Sequence, residues 1–335
     1  MQVLIVNQSE VARLLPMGAC MEAMAEALKS VSRGESLLPL RQVIMLPGKV
    51  GAFAAMPAYL ASPAAVGLKS ITVFPGNHGT ELDSHQGAVL LFETERGRLL
   101  AVMDASSITA IRTAAVSGVA TRLLARADAG NLALIGTGVQ ALKHLEAMSH
   151  ARRLRRVRAW SRDPEHVRAF AQAAGRSLEM RVEPAGSARE AVEGADLICT
   201  VTSSREPVVK GEWLSPGVHV NAVGASLASA RELDTPAIAR ARLFVDRRES
   251  ALNEAGDFLI PRREGAVDDT HIQGELGELL LGRCRGRQSE GEVTVFKSLG
   301  LAVEDVAAAR LIYDNALKAG AGTRVELGGA RDAGA

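Results

Sequence analysis

Two kinds of residue in this 335-residue chain stand where chemistry explains their placement. The first is a set of small residues. Gly136, Gly138 and Ala141 lie in LALIGTGVQA, directly after the apolar run Leu132–Ile135. This is the GxGxxA form of a dinucleotide-binding turn. The first glycine permits the sharp bend, the second lets the backbone approach a pyrophosphate, and the third small residue lets helix and strand pack closely. Val139 and Gln140 then open a helix, whose unpaired N–H groups and positive dipole end suit phosphate. The second kind is cations set in apolar or small sequence. Arg41 lies in LPLRQVIML, Lys69 in AVGLKSITVFPG and Arg112 in SITAIRTAAVSG. A cation there is costly unless it is paired. One lysine and two arginines could clamp a small anionic substrate, with the guanidiniums gripping a carboxylate through two N–H groups. On the plainer alternative they point outward, or pair with acids such as Glu81 or Asp104.

The residues after each expected strand refine the nucleotide reading. Val157–Trp160 reads as the second strand of a βαβ unit and runs into Ser161, Arg162 and Asp163. An acid at such a strand end binds the ribose 2′-hydroxyl of NAD, whereas an arginine accommodates the 2′-phosphate of NADP. Ser161 followed by Arg162 therefore favours NADP(H) over NAD(H), although Asp163 would restore the NAD-type acid if the register moved by one. Thr200, Val201 and Thr202 follow another strand, where a dinucleotide crosses the sheet; a simple Ser/Thr turn before Pro207 explains them nearly as well. The histidines show no metal-ligand spacing, so no metal is expected. His85 reads as structural, Cys199 as a small buried hydrophobe, and the methionines near Cys20 as core filler.

The elements needed to hold these residues can be read in order. Val3–Val6 is strand-like, Ser9 could cap a short helix, and Pro16 starts a helix with Cys20, Met21, Met24, Leu28 and Val31 on one stripe. Strand-like runs follow at Leu38–Leu46, Gly51–Tyr59, Val66–Phe74, Ala88–Glu93 and Leu99–Met103, punctuated by Gly and Pro. Ser106 then caps a long alanine-rich helix. From Asn131 strand and helix alternate, with strands expected at Leu132–Ile135, Val157–Trp160, Met180–Glu183, Leu197–Val201, His219–Val223 and Leu243–Asp246. That texture is α/β, a Rossmann-type doubly wound parallel sheet. A helix at Glu304–Ala319, a strand at Thr323–Leu327 and a loose GGARDAGA tail complete the chain.

Composition narrows the function classes. The net charge of +1 gives no electrostatic case for nucleic acid or an anionic membrane, and 3% aromatic residues argue against base-stacking platforms. Three widely spaced cysteines suit a reducing cytoplasm rather than a disulfide framework. The N-terminus lacks the pattern of a signal peptide, and no apolar run is long enough to span a bilayer.

IRTAAVSGVAT, LKSITVFPGN, IGTGVQA, NAVGAS and the late VFKSLGLAVEDVAAA together resemble the ornithine cyclodeaminase/mu-crystallin family, over nearly the whole chain and in the expected order. The resemblance implies a homodimer whose NAD(P)-binding domain, residues 113–299, is inserted in a second α+β domain for substrate binding and dimerisation, residues 1–112 with 300–335. It assigns Arg41, Lys69 and Arg112 to a substrate-carboxylate clamp and Thr113 to a cofactor phosphate. Val223, Gly224, Ser298 and Leu299 would lie near the nicotinamide. Ornithine cyclodeaminases carry an aspartate in the loop after NAVG; this chain has Ser226 there. Serine cannot serve as the carboxylate base of cyclisation. The resemblance is thus to the ketimine-reductase branch, and implies NAD(P)H-dependent reduction of cyclic imines such as 1-pyrroline-2-carboxylate or 1-piperideine-2-carboxylate to L-proline or L-pipecolate. Lys69, or a water held by Ser226, would handle the imine proton. An alanine-type amino-acid dehydrogenase and a non-catalytic NADPH-dependent binding protein are the alternatives.

Overall fold

Alternating apolar residues in one part of the chain and continuous apolar runs in another give two kinds of sheet. The computed structural model describes residues 2–77 and 80–329. It forms two units, one built from the segments up to Arg112 and from Leu301 onward, the other from Thr113–Gly300.

The first unit begins with β1 (Gln2–Val6), α1 (Gln8–Leu14) and α2 (Met17–Ser32). Asn7, not Ser9, caps α1: its side chain accepts from the Glu10 N–H at 3.1 Å, and the Glu10 carboxylate accepts from the Asn7 N–H at 3.0 Å. The N-x-x-E spacing is a reciprocal capping box, which outcompetes a serine placed inside the first turn. On α2, Cys20, Met21, Met24 and Leu28 are buried as the stripe requires. Next come β2 (Gln42–Met45), β3 (Ala52–Leu60), β4 (Ala65–Val73), β5 (His85–Phe92) and β6 (Leu99–Asp104). The expected strand at Leu38–Leu46 shortens to β2, because Pro39 has no N–H to give a ladder. The helix α3 (Ala105–Leu124) starts on Asp104, whose carboxylate accepts from the Ser107 N–H at 2.8 Å. Ser106, expected as the cap, donates instead to the His85 carbonyl.

The second unit continues with β7 (Asn131–Ile135), α4 (Val139–Ala151), β8 (Arg156–Trp160), α5 (Pro164–Leu178), β9 (Glu183–Pro184), α6 (Ala188–Val192), β10 (Leu197–Thr200) and β11 (His219–Ala222). It ends with α7 (Thr235–Ala239), β12 (Arg242–Val245), α8 (Arg248–Glu254), α9 (Gly256–Arg263), β13 (Ile272–Glu275), α10 (Leu276–Leu280) and β14 (Thr294–Lys297). The strand expected at Met180–Glu183 contracts to the two-residue edge strand β9, where only Arg158↔Glu183 and Ala159↔Pro184 pair. The sequence reading missed β13 and β14. The chain then returns to the first unit as α11 (Ala302–Ala319) and β15 (Thr323–Glu326). The expected loose tail falls largely on residues 330–335, outside the described residues.

In the first unit the sheet order is β15-β1-β6-β5-β4-β3-β2. Its pairs are antiparallel except β1 with β6. Burial alternates along β3, with Ala54, Met56, Ala58 and Leu60 buried and the residues between them half-buried. The helix α11 lies on the buried face, against β3, β4 and β5. At Gly67 of β4 a Cβ would sit 2.6 Å from the Val306 side chain, so glycine is what lets the helix approach this closely.

In the second unit the order is β13-β12-β14-β11-β10-β7-β8-β9, with every pair parallel. From β7 the chain winds outward through β8 and β9, then crosses back to β10 on the other side of β7. That reversal is the topological switch point at which open parallel sheets bind nucleotides. The central strands are buried on both faces, and Ile135, Ile198, Val220, Val245 and Val295 join one core cluster. Among the described residues, no helix is long and apolar enough to cross a membrane.

Candidate functional site

Lys69 and Arg112 are the buried cations of the first unit, only 3% and 4% exposed. Lys69 stands on the buried face of β4, in register with Met56 of β3 and Val89 of β5. Arg112 lies on α3. Both meet acids from the first turn of α11. Lys69 Nζ is 2.8 Å from Asp305 Oδ2, Arg112 Nε donates to Asp305 Oδ1 at 2.8 Å, and Arg112 Nη1 donates to Glu304 Oε2 at 2.8 Å. The partners are therefore neither Glu81 nor Asp104, the acids considered from sequence; Asp104 is taken by the start of α3. Glu304 and Asp305 went unnoticed, although VEDVAAA embeds acids in apolar sequence just as the cations are embedded. Both are fully buried. The acid-bearing first turn of α11 is pressed onto the sheet by the same close approach that requires Gly67.

The electrostatics follow from this packing. Burial lowers the Lys69 pKa to about 8, against the pull of Asp305 and with help from the neighbouring Arg112 and Arg41 charges. Burial works to raise the Asp305 carboxyl, but the Arg112 and Lys69 charges outweigh it and hold it below its ordinary value. Arg41 precedes β2, is half-buried, and lies close enough to act on Lys69 electrostatically. Two buried cations thus meet two buried carboxylates, with the half-buried Arg41 close by.

In the second unit the fingerprint has the geometry its residue types call for. Gly136 has φ +105°, and a Cβ there would come within 2.8 Å of the Val201 carbonyl oxygen at the end of β10. Nothing lies within 4 Å of a Cβ built on Gly138. Gly138 is also the N-cap of α4 and provides no side-chain cap; the Ala141 N–H bonds the Gly138 carbonyl, which leaves the N–H groups of Val139 and Gln140 to another acceptor. Val139 is exposed and Gln140 half-buried, and the Gln140 Oε1 atom is buried without a hydrogen-bond partner. An open glycine cradle and an uncapped helix start at the switch point fit a dinucleotide pyrophosphate.

At the end of β8, Ser161 Oγ donates to the Asp163 carbonyl at 2.8 Å, while the Asp163 carboxylate caps α5 by accepting from the Glu165 N–H at 2.9 Å. Arg162 between them is exposed. Asp163 is thus committed to its own helix.

The remaining strand ends are organised by two buried carboxylates absent from the sequence reading. Glu232 accepts from Thr200 Oγ1 at 2.7 Å, from the Thr202 N–H at 2.7 Å and from the Gly224 N–H at 2.6 Å. Thr202 Oγ1 meanwhile accepts from the Ser204 N–H at 3.0 Å, so the Ser/Thr turn considered from sequence is present as well. Asp246, at the end of β12, accepts from the Leu299 N–H at 2.6 Å and the Gly300 N–H at 2.7 Å. Ser298 is buried, its N–H bonded to the Ala222 carbonyl. Val223 is half-buried, Thr113 on α3 is buried, and Ser226 is exposed beyond Gly224. Cys199 is buried, and that burial raises its thiol to about 12, which makes it inert. Among the described residues, no group of three or more His, Cys, Asp or Glu could hold a metal ion.

A family model, described as the ornithine cyclodeaminase/mu-crystallin family, matches residues 1–320. The ketimine reductase mu-crystallin of Mus musculus is 43% identical over 292 residues, 86% of this chain and 89% of the relative. A structure of the Thermococcus litoralis Δ1-pyrroline-2-carboxylate reductase in complex with NADH and L-proline superposes with a TM-score of 0.94. It is 38% identical to this chain, covering 96% of this chain and 100% of its own. An archaeal alanine dehydrogenase dimer with bound NAD gives a TM-score of 0.91 at 33% identity, covering 97% of this chain and 99% of its own. With a family model spanning nearly the whole sequence and relatives this similar along most of their length, the chain belongs to the ornithine cyclodeaminase/mu-crystallin family.

Proposed function

We propose that the protein is an oxidoreductase that reduces small cyclic ketimines bearing a carboxylate, such as 1-pyrroline-2-carboxylate or 1-piperideine-2-carboxylate, to L-proline or L-pipecolate. The observation that carries this reading is the buried pair Lys69 and Arg112, fixed by Asp305, in a chain that also holds an intact dinucleotide turn. Similarity to relatives named for this chemistry supports it.

The reduced nicotinamide, when bound, supplies the hydride to the imine carbon. The residues around Gly136, Gly138 and the start of α4 would hold its pyrophosphate, with Thr113 also at a phosphate. Those at Thr200–Thr202, Val223–Gly224 and Ser298–Leu299 would bed the ring. Arg41, Lys69 and Arg112 hold the substrate carboxylate through their N–H groups. Product formation needs a proton on the nitrogen as well as the hydride on carbon. With a pKa near 8, Lys69 exchanges a proton close to neutrality, which a guanidinium does not. Ser226 stands where a cyclodeaminase carries its aspartate, so ornithine cyclisation would lack its base.

Arg162 is exposed and Asp163 is engaged as a helix cap, which supports NADP(H) over NAD(H). A homodimer is supported by the outer face of the first unit's sheet. There Ile44, Phe53, Tyr59, Val66, Leu68 and Phe92 keep apolar surface exposed, and the similar alanine dehydrogenase is a dimer.

The test is oxidation of NADPH and NADH with each cyclic imine and with pyruvate plus ammonia, run side by side. Rapid turnover of a cyclic imine is expected. Turnover with pyruvate and ammonia alone would make the protein an amino-acid dehydrogenase instead, and cofactor binding with no turnover would make it a ligand-binding protein. Lys69→Ala and Arg112→Ala should each lower kcat/KM by about 100-fold or more while cofactor affinity stays near wild type. Near-wild-type turnover in both would remove the clamp assignment.

A further inference from the structure

Glu232 belongs to no strand or helix, yet three donors from two strand ends converge on it. Oε2 receives the Thr200 hydroxyl and the Gly224 N–H, and Oε1 receives the Thr202 N–H. Thr200 and Thr202 mark the end of β10, and Gly224 lies just past β11. The two ends are pressed together: a Cβ on Gly224 would be 2.1 Å from the Thr202 carbonyl oxygen and 2.6 Å from Glu232 Oε1. Glu232 is itself fully buried and held from behind. Its own N–H donates to Asp257 Oδ1 at 2.8 Å, and Asp257 Oδ2 pairs at 3.0 Å with the fully buried Lys297. Lys297 also donates to the Ala222 carbonyl at the end of β11 and directly precedes Ser298. One buried polar chain therefore runs from the β14 end through Lys297, Asp257 and Glu232 to the β10 and β11 ends.

A carboxylate is the one side chain that accepts at both of its atoms without presenting a donor. Glutamine in its place would turn an NH2 toward the Gly224 or Thr202 N–H, and a shorter acid would not reach both loops. Resting on the reading of Thr200–Thr202 and Val223–Gly224 as the bed of the nicotinamide, we infer that Glu232 is a positioning residue for the nicotinamide half of the cofactor, acting through the backbone it gathers rather than by touching the ring. Asp257 and Lys297 keep Glu232 in place. Of the residues that serve the adenylate half, Gly138 and Arg162 make no hydrogen bond to this network; Gly136 adjoins it at Val201 but gives it no donor.

The two halves separate in a binding experiment that needs no turnover. ADP-ribose carries the adenylate and pyrophosphate without nicotinamide, and its 2′-phosphate form is the fragment of NADPH. Affinities of the reduced cofactor and of the matching fragment are measured by titration for wild type, Glu232→Gln and Thr200→Val, with the hydride-transfer rate in a single turnover as a second readout. For Glu232→Gln the expected result is a loss of about tenfold or more in reduced-cofactor affinity, with fragment affinity within about twofold of wild type, and a hydride step slowed by about 100-fold. Thr200→Val removes one of the three donors while leaving the carboxylate, and should move the same two quantities in the same direction by less. Equal loss of fragment and cofactor in both variants would make Glu232 a purely structural acid and overturn the inference. So would an unchanged Thr200→Val when Glu232→Gln fails to fold. Wild type that binds the cofactor beside an unaffected Glu232→Gln overturns the inference alone. Wild type that binds neither molecule overturns the cofactor reading and this inference with it.

Discussion

Buried carboxylates organise both units, but Glu304 and Asp305 of the first do different work from Glu232 and Asp246 of the second. In the first unit Glu304 and Asp305 meet the side-chain cations Lys69 and Arg112, and the result is a buried charged cluster. In the second unit Glu232 and Asp246 meet backbone N–H groups, and the result is a shape: strand ends held at fixed positions beside glycines. The difference teaches what each site tolerates. Removing one member of a buried charge cluster strands the others in a medium that solvates them poorly. Adding a methyl group to a backbone cradle blocks what the cradle was open to receive.

The largest expected effect follows from the first half of that contrast. Asp305→Ala leaves Lys69 and Arg112 with one buried acid between them, and should cost about 3–5 kcal/mol of stability by denaturant titration, as breaking a buried pair does. Its cofactor affinity, measured on the folded fraction, should stay near wild type. A variant as stable as wild type would mean that the cluster is solvated rather than charge-matched.

Gly136→Val makes the complementary break. The site combines φ +105° with a Cβ position 2.8 Å from the Val201 carbonyl oxygen. A loss of about 1–3 kcal/mol is expected, together with loss of cofactor binding in a fluorescence titration. Retained binding would remove the fingerprint from the cofactor site.

The charge state of Lys69 sharpens the comparison. With its pKa lowered to about 8, it is protonated below that pH and neutral above it, so a step that uses its charge or its proton weakens as pH rises. kcat/KM for a cyclic imine should therefore fall through an apparent pKa near 8. Lys69→Arg, which keeps the charge, should remove that limb even at lower overall activity. An unchanged limb would assign it to another group.

The smallest effect belongs to exposed Arg162. Arg162→Ala should lower the preference for NADPH over NADH by about tenfold, near 1.4 kcal/mol, with little change for NADH. Equal loss with both cofactors would place Arg162 away from the 2′-phosphate.

Legibility in the sequence followed the range of the interactions involved. The glycine turn was readable because its three small residues, its preceding strand and its following helix occupy ten consecutive positions. The capping box at Asn7 was readable in principle from Asn7 and Glu10, but Ser9 drew the assignment because hydroxyl caps are common. β14 is hard to read because its four residues begin with Thr294 and end on Lys297, and a lysine in a fully buried strand is explained by partners distant in the chain, Asp257 and the Ala222 carbonyl.

By itself the sequence determined the alternation of strand and helix, the turn between β7 and α4, and the fact that Lys69 and Arg112 were cations in apolar surroundings. These are properties of neighbouring residues, set by steric freedom, periodicity and the cost of burying charge. Tertiary structure alone decided which acids answer those cations. Glu304 and Asp305 lie more than 190 residues from Arg112 and reach it because α11 packs against the sheet above Gly67. It alone decided, too, that Glu232 would tie two strand ends together. A buried carboxylate takes whatever donors the fold delivers to it, and nothing in its own neighbourhood along the chain names them.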